Sequence, residues 1–209
     1  MSATAGRQGP MSRGTFTVSV VGVGGQGVLR AAAVLAFAAV SAGLQVKSSE
    51  IKGMSQRGGS VLSTVRFGPQ VFSPVSATAD LVIATELLEG LRGLSLLEPG
   101  GTIVCAGSTR IPPGAVLRRE QPYPGGLAEA AAARGVNLLE IDAEALAREA
   151  GNLRTVNSVL LGAASGLLPF SDDDWRRGLA AAVPAKTLEA NLRALRLGRE
   201  ATTSQEALL

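Results

Sequence analysis

Two short stretches hold the residues best suited to chemistry. In "VGVGGQGVLR" (21–30), Gly22, Gly24 and Gly27 form G-x-G-x-x-G, with Gly25 and Gln26 set between the last two glycines. Thirty residues on, "KGMSQRGGSV" (52–61) carries Gln56, Arg57, Gly58, Gly59 and Ser60 in a row. Glycines at the first spacing permit a tight turn and close backbone approach, and the unpaired N–H groups of a following helix favour an anion. Gln26, at the helix start, is expected to aim a polar side chain at the ligand mouth. In the second stretch a guanidinium, two glycines and a hydroxyl suit bidentate gripping of a phosphate or carboxylate. Two plainer readings stay open: glycines that only let helix and sheet touch, and a tight turn with a solvated arginine. Glu50 lies about where the ribose-binding carboxylate of an NAD site would follow a second strand.

The absent residue types narrow the chemistry further. The chain has no histidine and a single cysteine, Cys105. A Ser-His-Asp triad, a Cys-His pair, a His-bearing zinc site and a four-thiolate iron-sulfur cluster are all excluded within it. Cys105 sits inside an apolar run and reads as a packing residue. The expected catalytic and metal-ligand sets of this chain are therefore empty, and any redox chemistry needs a bound organic cofactor or another chain.

The elements that must position the two stretches follow an alternating rhythm. "TFTVSVVG" (15–22) reads as a buried strand and "QGVLRAAAVLAFAAVSAG" (26–43) as a helix ending at Gly43. "LQVKSSE" (44–50) and "GSVLSTVRFG" (59–68) read as strands around the MSQRGG loop. "ADLVIAT", "ELLEGLRGLSLL" and "GGTIVCAG" add strand, helix and strand, and residues 108–126 read as a long Pro- and Gly-rich loop. "LAEAAAARG", "VNLLEID" and "AEALAREAG" repeat the alternation, after which only helices are expected. Ser171 caps one of them, with Phe170 and Trp175 as a hydrophobic staple, and the last helix ends near Gly198. The fold class is α/β: a Rossmann-like open, mostly parallel sheet with helices on both faces and a C-terminal helical section. A disordered tail (1–14), one α/β domain (15–199) and a frayed C-terminus (200–209) complete the organisation.

The chain has 209 residues, 46% of them hydrophobic and 3% aromatic, which suits one close-packed core rich in Ala, Val, Leu and Gly. Its net charge is +3, and Arg7 and Arg13 of the tail account for most of that. The remaining basic residues are scattered, so nucleic acid is not an expected partner. No leader peptide is evident, and the uncharged run 31–46 is too short and too interrupted to cross a bilayer. A cytoplasmic protein without a membrane partner is expected.

Beyond these physical readings, "GVGGQGVLRAAAVLA", "SEIKGMSQRGGSVLSTVRFG", "FSPV", "ADLVIATELLEGLRGLSLLEPGGTIV", "NSVLLGA" and "NLRALRLG" resemble the gamma-type subunit or domain of the 2-oxoacid:ferredoxin oxidoreductases. Within that family "KGMSQRGGSV" is most similar to the beta subunit of the indolepyruvate branch. The resemblance implies a non-cluster subunit of an oxidoreductase that decarboxylates a 2-oxoacid, passes electrons to ferredoxin and releases an acyl-CoA. It further implies a catalytic partner carrying thiamine diphosphate, Mg and iron-sulfur clusters, and activity only in the hetero-oligomer. For this chain the expected task of Gly22, Gly24, Gly25, Gln26, Gly27, Gln56, Arg57, Gly58, Gly59 and Ser60 is to hold CoA phosphates or the substrate carboxylate at the subunit interface. Two other classes remain: a free-standing NAD- or flavin-dependent Rossmann protein, and a purely structural or regulatory subunit.

Overall fold

The computed structural model describes residues 14–53, 58–113 and 117–206. Apart from Gly14, the expected disordered tail lies outside them. Six strands form one sheet: β1 (Phe16–Val23), β2 (Gln45–Lys52), β3 (Ser60–Gly68), β4 (Ala79–Ala84), β5 (Leu97–Cys105) and β6 (Asn137–Glu140). Their order across the sheet is β2-β3-β1-β4-β5-β6. Parallel ladders join β1 to β4, β4 to β5 and β5 to β6, while β3 runs antiparallel to both β1 and β2.

The mostly parallel α/β sheet expected from the sequence is thus present, with one reversed strand. Only residues 53–59 separate β2 from β3. A parallel return needs a dozen or more residues, so this pair closes as a hairpin, tied by Gly53 N–H donating to Ser60 O at 3.0 Å. Insertion of β3 puts β2 on the outer edge, two interstrand spacings or about 9.6 Å from β1. Glu50, paired in register with Ser63, is therefore not on a strand beside the glycine turn. The argument for a ribose carboxylate in an NAD-type site is lost with that neighbour.

Among the described residues seven α-helices flank the sheet: α1 (Val28–Ser41), α2 (Leu87–Gly93), α3 (Leu127–Ala133), α4 (Ala143–Glu149), α5 (Val156–Ala164), α6 (Asp172–Ala182) and α7 (Leu188–Glu206). Strand alternation sends successive side chains to opposite faces. Val18, Val20, Val65, Phe67, Leu81, Ile83 and Val104 meet α1, α4, α5, α6 and α7 in the larger core. Val21, Val82, Ala84, Ile103 and Cys105 meet α2 and α3 on the other side.

The start of α6 follows the sequence closely. Ser171 caps it in a reciprocal box with Asp174, and Phe170 stacks edge-on against Trp175 with ring centroids 5.3 Å apart. The end of α7 does not follow it. The helix runs past Gly198 to Glu206, so the expected stop near Gly198 is corrected. Gly198 is a contact residue: a Cβ there would lie 1.9 Å from Val159 O, and one on Gly162 would lie 1.9 Å from Leu195 O. Two facing glycines bring the α5 and α7 backbones together.

Candidate functional site

The reversed β3 brings the two glycine-rich stretches to one place. β1 ends at Val23, and β3 begins opposite it at Ser60. There Gly24 N–H donates to Gly59 O at 2.8 Å. The turn after β1 and the end of the hairpin loop therefore share a backbone bond at the C-terminal edge of the parallel strands, where open α/β sheets bind ligands. Gln56 and Arg57 lie outside the described residues.

Gly22 is required by crowding, since a Cβ there would sit 2.0 Å from Thr85 Oγ1 and 2.8 Å from Val28 Cγ2. Gly27 caps α1 with φ 80°, a left-handed conformation that glycine adopts without strain. The amides of Gly27, Val28 and Leu29 find no hydrogen-bond acceptor among the described residues, leaving the positive end of α1 available to an anion.

Gln26 differs from its expected role. Its side chain turns inward, not toward a ligand. Oε1 accepts from Val23 N–H at 2.8 Å and from the Thr85 hydroxyl at 2.7 Å, while Nε2 donates to Thr85 O at 3.2 Å. The ends of β1 and β4 would otherwise bury unpaired backbone groups, and buried polar groups are paired. Ser60 is engaged too, its hydroxyl donating to Glu89 Oε2 at 2.6 Å. Glu89 is buried and its other oxygen receives the Arg92 guanidinium. Ser60 thus ties the hairpin to α2.

On the α1 side of the glycine turn a cleft of about 590 Å³ opens between the turn, the N-terminal end of α5 and the Pro184–Thr187 segment. That is within the size range of small-molecule sites. Arg30, Arg154 and Lys186 line it, all three exposed, and none forms an ion pair among the described residues. Glu144 also lines it, but its carboxylate already takes the Thr109 hydroxyl and the Arg148 guanidinium, both at 3.2 Å. The neutral amides are spent as well: Asn191 accepts from the Ser158 hydroxyl at 2.7 Å and donates to Thr187 O at 2.8 Å. Positive charge is what the walls of this cleft leave unsatisfied.

On the opposite face, at the other side of β4, Glu86 is fully buried. It caps α2 and accepts from the Tyr123 hydroxyl and the Glu89 amide, pinning the long loop after β5. Burial, then the hydrogen bond to Glu86, push the Tyr123 hydroxyl up to about 12. Cys105, beneath it, is pushed up to about 12 by burial and then by the charges of Glu140 and Glu86. A thiol held so far from ionisation is a packing group. Among the described residues no group of three or more His, Cys, Asp and Glu could hold a metal ion, and no helix is long and apolar enough to cross a membrane.

The three cations and Glu89 were not legible as site residues. Arg30 follows Gln26 by one helical turn, a spacing that could have flagged it. Arg154 and Lys186 arrive from segments more than a hundred residues away, with no local pattern to mark them.

The open α/β sheet carries its glycine turn and a cleft lined by three cations at the C-terminal edge of its parallel strands, the edge at which α/β domains of this class bind ligands. Residues 17–201 match the family model described as pyruvate ferredoxin/flavodoxin oxidoreductase. The chain is 39% identical over 194 residues to indolepyruvate oxidoreductase subunit IorB of Thermococcus kodakarensis, covering 89% of this chain and 95% of that one. A solved keto/oxoacid ferredoxin oxidoreductase gamma subunit from Geobacter sulfurreducens superposes with TM-score 0.67 at 23% identity, covering 90% of this chain and 99% of that one. The 2-oxoglutarate:ferredoxin oxidoreductase of Magnetococcus marinus, solved with 2-oxoglutarate, coenzyme A and succinyl-CoA bound, superposes with TM-score 0.73 at 22% identity. That match covers 92% of this chain but 32% of the longer one, so the chain corresponds to one part of that protein. The chain belongs to the pyruvate ferredoxin/flavodoxin oxidoreductase family.

Proposed function

We propose that this chain is the non-cluster, gamma-type subunit of a cytoplasmic 2-oxoacid:ferredoxin oxidoreductase of the indolepyruvate or aryl pyruvate type. A partner subunit carrying thiamine diphosphate, Mg and iron-sulfur clusters performs the oxidative decarboxylation and passes electrons to ferredoxin. This chain contributes an anion-holding rim at the interface, which takes the phosphates of CoA or the carboxylate of the 2-oxoacid. The observation that carries the reading is the Gly24 N–H to Gly59 O bond. It joins both glycine-rich stretches into one rim beside the free amides of α1 and the cleft of Arg30, Arg154 and Lys186. The 39% identity to a named indolepyruvate oxidoreductase subunit over nearly its whole length supports the branch.

A second reading has its own support. Gln26 and Ser60 both spend their side chains internally, as parts of a surface shaped for a partner chain would. Co-expression with the catalytic subunit and an assay of 2-oxoacid-dependent viologen reduction test the enzyme assignment. CoA titration of that complex, with Arg57→Ala beside wild type, separates the roles of the rim. Weakened CoA affinity supports anion holding, whereas weakened assembly at unchanged CoA affinity supports the docking role. The free-standing NAD- or flavin-dependent alternative requires a cofactor absorbance from the purified chain.

A further inference from the structure

The segment after β3 carries FSPV (72–75), and side chains of β2 and β3 hold it against the sheet. Val71 N–H donates to Gln45 Oε1 at 3.1 Å. Lys47 Nζ donates to Phe72 O at 3.1 Å, the Ser49 hydroxyl to Pro74 O at 3.4 Å, and the Arg66 guanidinium to Ser73 O and Val75 O, both at 2.8 Å. Every carbonyl from 72 to 75 is thereby drawn onto the sheet, while Phe72 and Val75 stand in solvent, 80% and 68% exposed. Ile51, 64% exposed, shares the face of Lys47 and Ser49 by strand alternation. Three large apolar side chains held outward by a tied-down segment form a ridge of the kind that marks an interaction surface.

The ridge runs along β2, an edge strand of the sheet. Gly24 N–H bonds to Gly59 O and Gly53 N–H to Ser60 O, and bonded pairs alternate along antiparallel ladders. Odd residues of β3 therefore bond to β1 and even ones to β2, whose own odd residues face β3. Val46, Ser48 and Glu50 turn their N–H and C=O groups outward, where no strand meets them among the described residues. Edge strands are often guarded by an outward lysine, but Lys47 folds back onto Phe72 O. A second copy is a poor cover for this edge. Pairing β2 with itself about a two-fold sets only residues of equal parity opposite each other, because opposed residues share a face. Lys47 never meets Glu50 that way, and a register centred on either one opposes like charges. Lys47 has no ion pair among the described residues, so the matching strand is one that brings its own carboxylate. We infer that the outer edge of β2 accepts an extended segment of the catalytic partner subunit as an added strand, with apolar side chains against the ridge and a carboxylate at Lys47. The inference rests on the reading that this chain works with such a subunit.

The test is the association constant of the full chain with its catalytic subunit, measured by sedimentation for wild type, Ser48→Pro and Phe72→Ser/Val75→Ser. Proline at 48 deletes one outward N–H and leaves the β2–β3 bonds intact, as edge strands allow. The double variant removes the ridge without touching the carbonyls that hold the segment. Each is expected to weaken assembly about tenfold, the size of one well-made hydrogen bond or more, with the Tm of the isolated chain within about 4 °C of wild type. The amides of Val46, Ser48 and Glu50 should gain protection from hydrogen exchange on assembly. If Ser48→Pro melts lower than that, the ridge variant and the exchange data decide the matter. Unchanged association of the ridge variant, or no gain of protection at those amides, overturns the inference while viologen reduction by the wild-type complex keeps the reading beneath it. An isolated chain that dimerises and is made monomeric by both variants also overturns it, because a second copy then covers the edge. If wild type neither assembles with the catalytic subunit nor supports viologen reduction, that reading falls and the inference with it.

Discussion

Replacing Gln26 by leucine distinguishes a residue that closes the turn from one that reaches for a ligand. Leucine matches the bulk and forms none of the three hydrogen bonds of the amide. The Thr85 hydroxyl can fall back on Val21 O, which already lies 3.4 Å away. Two groups are then left without partners, the Val23 N–H and the Thr85 carbonyl, on residues 7% and 1% exposed. Each buried orphan costs about 1–2 kcal/mol, so the sum is about 2–4 kcal/mol. In a domain of this size 1 kcal/mol moves the midpoint by about 2–4 °C, which gives an expected loss of roughly 4–16 °C in Tm. Urea denaturation should show a lower midpoint at unchanged m. Gln26→Glu keeps the acceptor oxygen and sets a second oxygen against Thr85 O, so it should fall between wild type and Gln26→Leu. Leucine and wild type melting together, within about 1 °C, would refute the inward role, because exposed substitutions change stability by less than about 0.5 kcal/mol.

Ser60→Ala takes one partner from the buried Glu89 carboxylate and should cost about 1–3 kcal/mol by urea denaturation; no change would mean that Glu89 is solvated. Gly198→Val forces a side chain into Val159 O and should cost more than about 3 kcal/mol, beyond the usual range of overpacking because the clash is with backbone. The Cys105 thiol has a folded value raised from 9.0 to about 12, so above pH 9 the unfolded chain releases a proton that the folded chain keeps. Stability should therefore be intact below pH 9 and fall progressively between pH 9 and 12. Tyr123, raised from 10.0 to about 12, adds to the fall in the upper part of that window. Cys105→Ala should flatten the lower part of the profile, measured by urea midpoints across pH, and native Cys105 should resist alkylation at pH 8.

The strands and most helices were legible because their signals are local. A β-branched run bounded by glycine announced β1, the short apolar run ADLVIAT announced β4, and Ser171 with Phe170 and Trp175 announced the start of α6. The reversed β3 was missed because alternation of strand and helix suggests parallel pairing, and only the shortness of the 53–59 link reveals a hairpin. Gly198 misled for a related reason. Glycine near a helix end reads as a stop unless the backbone facing it is known, and here that backbone is Val159, nearly forty positions earlier. At the site, the glycine spacing located the turn correctly. The direction of the Gln26 side chain depended on Thr85, and the charges of the cleft depended on Arg154 and Lys186. Each is a distant residue that no window of sequence places beside the turn.

The hairpin between β2 and β3 also makes the second glycine-rich stretch a modular tip. Its two stems are clamped by a full ladder and by the Gly53 to Ser60 bond, and no crossover helix depends on its length. Residues 54–57 can therefore be exchanged as a cassette without redrawing the sheet. Grafting the corresponding residues of a pyruvate- or ketoisovalerate-type relative between these stems should leave the scaffold melting where it did before.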